Sequence, residues 1–336
     1  MSGRVTIADV AREADVSLMT VSRALNDKDG VSAETRSRIL SIVEKLGYRP
    51  SGIARSLVQG RTGTIGLIVP DISNPYFSGI AHGVSNTASE AGLSVLLCNT
   101  EEQSEREIDF ISVLEEKGVD GLIMASPRQQ TDLLVPLLVR HAKVVIINRF
   151  FEIDRLNVAG YVVNDDQEGG YSGTHHLISR GHTSIGFLAG PAASYGSKRR
   201  FEGYKQAHAE ANLPYQADTL LHCPPTAEAG RKAALELIDK HPELTALFCF
   251  NDMVAIGALQ ACRESRRRVP EDMAIVGYDD VPMALWVTPP LTTLRAPCED
   301  MGRLATLQLI KRMRNCAEGC ESVVLTPQLI VRASAP

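Results

Sequence analysis

Five short polar clusters follow apolar runs along the chain: Asn74-Pro75-Tyr76-Phe77, Asn148-Arg149, Asp165-Asp166, Asn251-Asp252 and Asp279-Asp280. Their amides, carboxylates and guanidinium donate and accept hydrogen bonds in fixed directions, and Tyr76 and Phe77 add aromatic faces for C–H surfaces. Brought together, such groups can bond adjacent hydroxyls in pairs, which suits a polyhydroxylated small molecule. An α/β enzyme is the competing reading, but the sequence has no GxGxxG after a strand, no GxxxxGK[ST] and no GxSxG elbow. His175-His176 lacks companion acids or cysteines at ligand spacing, and seven scattered cysteines give neither CxxC pairs nor an even count. No metal, cofactor or disulfide framework is expected.

The elements that must position these clusters alternate in type. Apolar strands are predicted at 64–70, 93–98, 120–125 and 143–147, with helices near 76–91, 105–117 and 133–141. The pattern restarts with strands at 161–163, 183–190, 246–250 and 273–277 and helices near 168–180, 198–211, 228–240 and 254–264. Apolar strands alternating with helices predict an α/β fold of parallel sheets covered on both faces, and the restart predicts two similar lobes. In such sheets ligands sit beyond the carboxyl ends of strands, where the polar clusters fall. A helix at 301–314 and a strand at 323–331 come last and are expected to cross back between lobes.

The first 50 residues carry different chemistry. Thr6, Ser17 and Ser32 can each cap a helix, Thr6 with Asp9 as a partial capping box. The first helix, to about Ala14, turns Ile7, Val10, Ala11 and Ala14 inward. After the short break at Asp15-Val16 the second runs to about Asn26, with Val21 and Leu25 inward and Leu18, Met19, Ser22 and Arg23 on other faces. The third places Thr35, Ile39, Val43 and Leu46 inward and ends at Gly47. This helix-turn-helix also occurs in purely structural bundles. Residues 1–60 carry nine basic and seven acidic side chains, net +2, which leaves −7 on the remainder, a sign difference that mildly favours a nucleic-acid partner for the first part. Pro50 to Leu57 reads as one or two helical turns, too short to persist alone, followed by a linker. With no run of about 18 apolar residues and no secretory leader, no membrane association is expected and the chain should stay in the cytoplasm.

Val5-Thr6-Ile7-Ala8-Asp9-Val10-Ala11, then Val16 to Asn26 (VSLMTVSRALN), Val31-Ser32 and Leu46-Gly47-Tyr48-Arg49-Pro50 together resemble the lac repressor/galactose repressor (LacI/GalR) family, over about residues 4–333. The resemblance implies a helix-turn-helix DNA-binding domain over 1–49, a hinge over 50–63 and a two-lobed sensor over 64–336 with the fold of periplasmic sugar receptors. It places the second helix in the major groove, with Leu18, Met19, Ser22 and Arg23 toward base edges; Arg23 suits guanine O6 and N7. Thr6 joins the DNA-contacting set, and Ser17, Thr20 and Ser32 are expected at phosphates. Ala54 and Leu57 would enter the minor groove, Leu57 as a wedge between base steps. Leu18 and Met19 stand where the lac repressor pattern is polar, so the operator sequence does not carry over. The family's ligand-contacting positions match Asn74, Tyr76, Phe77, Asn148, Arg149, Arg200, Asn251, Asp252 and Asp279. Pro224 and Pro225 replace an aromatic stacking residue, and Ala125 an amide, which argues against a pyranose sandwich. Arg149 and Arg200 would admit a sugar, a sugar acid or a phosphosugar. A homodimer on a pseudo-palindromic operator follows from the resemblance, with no tetramer because no heptad tail follows the last strand. Inducer and co-repressor both stay open.

Overall fold

The computed structural model describes residues 5–48, 60–140, 143–151, 159–314 and 322–336. The chain divides into two compact units, Met1–Thr62 and Gly63–Pro336.

Among the described residues of the first unit, three helices form: α1 (Ile7–Glu13), α2 (Leu18–Leu25) and α3 (Ala33–Leu46). Their starts follow the expected caps. The Asp9 carboxylate accepts the Thr6 amide at 2.9 Å and the Thr6 hydroxyl at 2.7 Å. The hydroxyls of Ser17 and Ser32 accept the amides of Thr20 and Thr35 at 3.1 and 3.2 Å. Gly47 ends α3 at φ 65°, a left-handed backbone that glycine adopts without a Cβ clash. Val10, Ala11, Ala14, Val21, Ala24 and Ile39 are buried, with Ile7, Leu25, Val43 and Leu46 packed against them. Ala24 adds to the inward face of α2 read from the sequence, while Thr35 is only half-buried. The expected hinge helix, with Ala54 and Leu57, lies outside the described residues.

In the second unit the chain runs β1 (Thr64–Val69), α4 (Pro75–Glu90), β2 (Ser94–Asn99), α5 (Glu105–Glu116), β3 (Gly121–Ala125), α6 (Thr131–Arg140), β4 (Val144–Ile147) and β5 (Ala159–Asn164). Next come α7 (Asp166–Ser179), β6 (Ile185–Ala189), α8 (Tyr195–Glu210), β7 (Leu220–His222), α9 (Ala227–Lys240), β8 (Ala246–Cys249), α10 (Asp252–Glu264) and β9 (Ala274–Asp279). The last elements are α11 (Met283–Trp286), β10 (Thr292–Arg295), α12 (Cys298–Met313), β11 (Val323–Leu325) and β12 (Gln328–Ile330). Two sheets result, ordered β11-β5-β4-β3-β1-β2 and β12-β10-β9-β8-β6-β7. Among the described residues, all pairings are parallel except β12 with β10. This is the expected α/β architecture of two parallel-sheet lobes behind a small helical domain.

Successive strand residues point to opposite sides, and both sides are apolar. Ile65, Leu67, Ile123, Val145 and Ile147 join the cluster that holds Ile80 and Val84 of α4 and Met301 and Leu309 of α12. Ile68, Leu122, Met124, Val144 and Ile146 join Ile111 of α5 and Leu134 and Leu138 of α6. The second lobe repeats the scheme, with Phe187, Phe248 and Val276 toward α7 and α8 and Leu247, Cys249 and Ile275 toward α9 and α10. The chain crosses between lobes after β5, after β10 and between β11 and β12. The single strand expected over 323–331 is two strands in different sheets. Thr326-Pro327 separates them, and a proline without an N–H cannot continue a ladder. Short β7, β10 and α11 were not anticipated. No helix among the described residues is long and apolar enough to cross a membrane.

Candidate functional site

Between the carboxyl ends of the two sheets lies a cleft with about 410 Å³ of empty space counted out to its mouth. One lobe contributes Asn74, Tyr76 and Phe77 from the start of α4, Glu102 after β2, Ser126 and Arg128 after β3, and Asn148 after β4. The other contributes Ser194, Gly196 and Arg200 around the start of α8, Pro225 after β7, Phe250 and Asn251 after β8, and Asp279 at the end of β9; Asp166 opens α7 at the crossover.

These groups are pre-paired. Arg200, 5% exposed, donates to Asp166 at 2.9 Å and to the Phe250 carbonyl at 2.6 Å, with Asp279 at 4.0 Å. Its guanidinium lies 3.4 Å from the ring centre of Tyr278, a cation–π stack. Burial disfavours the Arg200 charge, but Asp166, Tyr278 and Asp279 outweigh it and raise its pKa. Burial pushes the Asp279 carboxyl well above the usual range, against the pull of Arg200. In the other lobe the Tyr76 hydroxyl accepts from Asn148 at 2.5 Å and from Asn164 at 3.2 Å. Arg128 grips Glu102 through Nε and Nη2 at 2.9 and 3.3 Å.

In three of the polar dipeptides the first residue faces the cleft and the second stands behind it, as alternation beyond a strand end dictates. Asn148 lines the cleft, but Arg149 does not: it donates to the carbonyls of Pro127 and Gln129 at 3.0 and 2.6 Å and to Thr131 Oγ1 at 3.0 Å. Arg149 therefore clamps the loop that carries Ser126 and Arg128, helped by buried Glu107, which accepts the Arg128 and Gln129 amides at 2.6 and 3.1 Å. Asn251 lines the cleft, whereas Asp252 is fully buried behind it. Asp279 lines it, whereas Asp280 is held by Arg295 and Arg332. At the crossover the order inverts: Asp165 caps α7 and Asp166 enters the cleft. Glu102, Ser126, Arg128, Ser194 and Phe250 were not singled out from sequence. The strand-end rule applied to β2, β3, β6 and β8 would have flagged them.

On the headpiece, Leu18 and Met19 are 52% and 64% exposed, large apolar side chains standing in solvent beside exposed Arg23. Ser22 and Thr20 are half-buried on the same helix, and Thr6, Ser17 and Ser32 are exposed at helix starts.

Two family models match. One, described as bacterial regulatory proteins of the lacI family, covers residues 6–51. The other, described as periplasmic binding proteins and sugar binding domain of the LacI family, covers 62–333. The HTH-type transcriptional regulator DegA of Bacillus subtilis (strain 168) is 34% identical over 331 residues, 98% of both chains. The ribose operon repressor of Halalkalibacterium halodurans is 34% identical, covering 97% of this chain and 96% of its own. Among solved structures, a transcriptional regulator CelR–cellobiose complex is 32% identical with a TM-score of 0.74, over 98% of this chain and 100% of that one. The lac repressor dimer bound to operator and the anti-inducer ONPF shares the fold, with a TM-score of 0.88 over 99% of each chain at 24% identity. With both units matched over nearly their whole length, the chain belongs to the LacI family of DNA-binding bacterial transcriptional regulators with an effector-binding domain.

Proposed function

We propose that this regulator is a repressor that binds a pseudo-palindromic operator as a homodimer, and that a neutral polyhydroxylated effector, held between the two lobes, sets its operator affinity. The observation that carries the effector class is the state of the cleft's cations. Arg200 is committed to Asp166, Asp279 and a carbonyl, and Arg128 to Glu102. Among the described residues lining the cleft, the two guanidinium groups are matched by Glu102 and Asp166, with the Asp279 carboxyl beside them, so no surplus positive charge awaits a sugar acid or a phosphosugar. What the cleft offers is amides, hydroxyls and carboxylate oxygens, the partners of neutral hydroxyl groups. Asn74, Tyr76, Phe77, Asn148, Arg200, Asn251 and Asp279 make direct contacts in this reading, while Arg149 and Asp252 act from behind. The cellobiose held by the CelR structure belongs to the same ligand class.

On the DNA side, exposed Arg23 reads guanine and Leu18 and Met19 meet thymine methyl groups, with Ser22 beside them. Thr6, Ser17, Thr20 and Ser32 position the helices on phosphates. Ala54 and Leu57, on the family pattern, take the minor groove when two copies meet. A thermal-shift screen of cellobiose, ribose, gluconate, glucose 6-phosphate and hypoxanthine tests the effector class. Stabilisation by a neutral sugar, with operator binding changed by the same sugar, supports the reading. Stabilisation by the anionic compounds alone overturns it.

A further inference from the structure

The loop after β9 is backbone-strained where the cleft needs precision. Asp279 and Asp280 adopt φ 110° and 57°, left-handed values that L side chains rarely take, and neither is glycine. Something must hold this turn. Asp280 is fixed from outside, accepting Arg332 at 2.6 Å and Arg295 at 2.7 Å. From inside, the buried Asp252 carboxylate accepts the Val281 amide at 2.8 Å through one oxygen and the Thr293 hydroxyl at 2.5 Å through the other. The second oxygen can sit there because residue 277 is glycine: a Cβ at Gly277 would lie 2.3 Å from it.

We propose that Asp252 is a positioning residue, which aims Asp279 into the cleft by pinning the turn between β9 and α11 to β10, and that it does not touch the effector. The inference rests on the cleft reading only for the role of Asp279; the pinning is measurable with no effector present. Asp252 faces Asp280 from the turn, Arg332 from the segment after β12, Asp279 from the end of β9 and the Cys249 thiol from β8. Burial, with the Asp280 charge, pushes its carboxyl up to about 7, while Thr293, Val281 and Arg332 pull the other way. The pin is therefore strongest when the carboxylate is ionised, above that pH, and weakens below it, because a protonated carboxyl is a poorer acceptor.

The test is residue-resolved amide hydrogen exchange of Val281 in the full chain, corrected for intrinsic rate. Asp252→Ala should speed exchange at Val281 about tenfold or more, the loss of one charged hydrogen bond, with sites elsewhere in the lobe far less changed. Asp252→Asn, whose neutral amide can accept from Val281 and donate to Thr293, should give protection between the Ala variant and the ionised wild type, at the level of the protonated wild type. Wild-type protection should fall on acidification through pH 7, and the Asn variant should be flat over that range. Thr293→Val, a milder change, should loosen Val281 in the same direction and serves if the Ala variant does not fold. Unchanged exchange at Val281 in Asp252→Ala or in Thr293→Val, or the same pH dependence in the Asn variant, overturns the proposal. Asp279→Ala should leave Val281 protected, so a cleft that proves not to be the effector site shows in sugar binding and not in this measurement.

Discussion

In the headpiece the side chains offered for recognition, Leu18, Met19 and Arg23, stand in solvent, whereas in the cleft Asn148, Arg200, Asn251 and Asp279 are each 7% exposed or less. The residues proposed to read DNA can change without cost to the headpiece fold, because its core is a separate set around Val10, Val21 and Ile39. The cleft has no such separation. Arg200 stacks on Tyr278 and bonds the backbone at Phe250, so the groups that would meet an effector also hold the strand ends together. An exposed charge is screened and contributes little until a partner desolvates it, while a buried one must be paired from the start. Specificity toward DNA should therefore vary independently of stability, and specificity toward effector should not.

The sharpest break of this contrast is Asp166→Ala. It leaves Arg200 buried without its nearest carboxylate, and thermal or denaturant unfolding should register a loss of about 3 to 5 kcal/mol; a loss near zero would mean that the pair is not integral to the fold. Next comes Asp252→Asn, read as stability against pH. A folded pKa raised to about 7 by burial, against an ordinary 3.8, means that global stability falls as pH rises from about 4 through 7, the cost of ionising a buried carboxyl, even though the ionised form makes the stronger local bonds to Val281 and Thr293. Asp252→Asn, which cannot ionise, should therefore gain stability relative to wild type as pH rises over that range, by on the order of a few kcal/mol. Parallel pH profiles would contradict this. In the headpiece, Arg23→Ala should cost about 1 to 3 kcal/mol of operator binding at one symmetric base pair. Its melting temperature should stay that of the wild type, and a uniform loss across all DNA sequences would remove Arg23 as a base reader. Ser17→Ala is the smallest effect: loss of a cap worth about 1 kcal/mol to α2, felt equally by every DNA sequence.

The same contrast separates what the sequence disclosed from what it did not. Caps at Thr6, Ser17 and Ser32 and the stop at Gly47 are local events, set by residues within one turn, and the structure places them as read. The apolar strands were legible for the same reason. Strands β7 and β10 were not, the one because it has three residues and the other because Thr292 and Thr293 interrupt its apolar pattern. Thr293 is polar because it must meet Asp252, a partner 41 positions away. In the cleft, the clusters were found but not their orientation. Arg149 and Asp252 follow Asn148 and Asn251 directly, and only the pleat at the strand end decides which of two neighbours turns to the cleft. Arg128 was hidden because nothing local marks it: its bonds run to Glu102, across the sheet.

The central claim is that the cleft senses a neutral polyhydroxylated molecule and passes the result to the operator. The most direct measurement is operator binding by fluorescence anisotropy, on pseudo-palindromic DNA selected by this protein, across a titration of whichever sugar stabilises it most. Wild type is compared with Asn148→Ala and Asp279→Ala, one change in each lobe. Losing a charged or buried hydrogen bond should demand roughly ten to a hundred times more sugar for the same change in DNA binding, with sugar-free operator affinity unaltered. If both variants respond at the wild-type sugar concentration, the cleft is not the sensor.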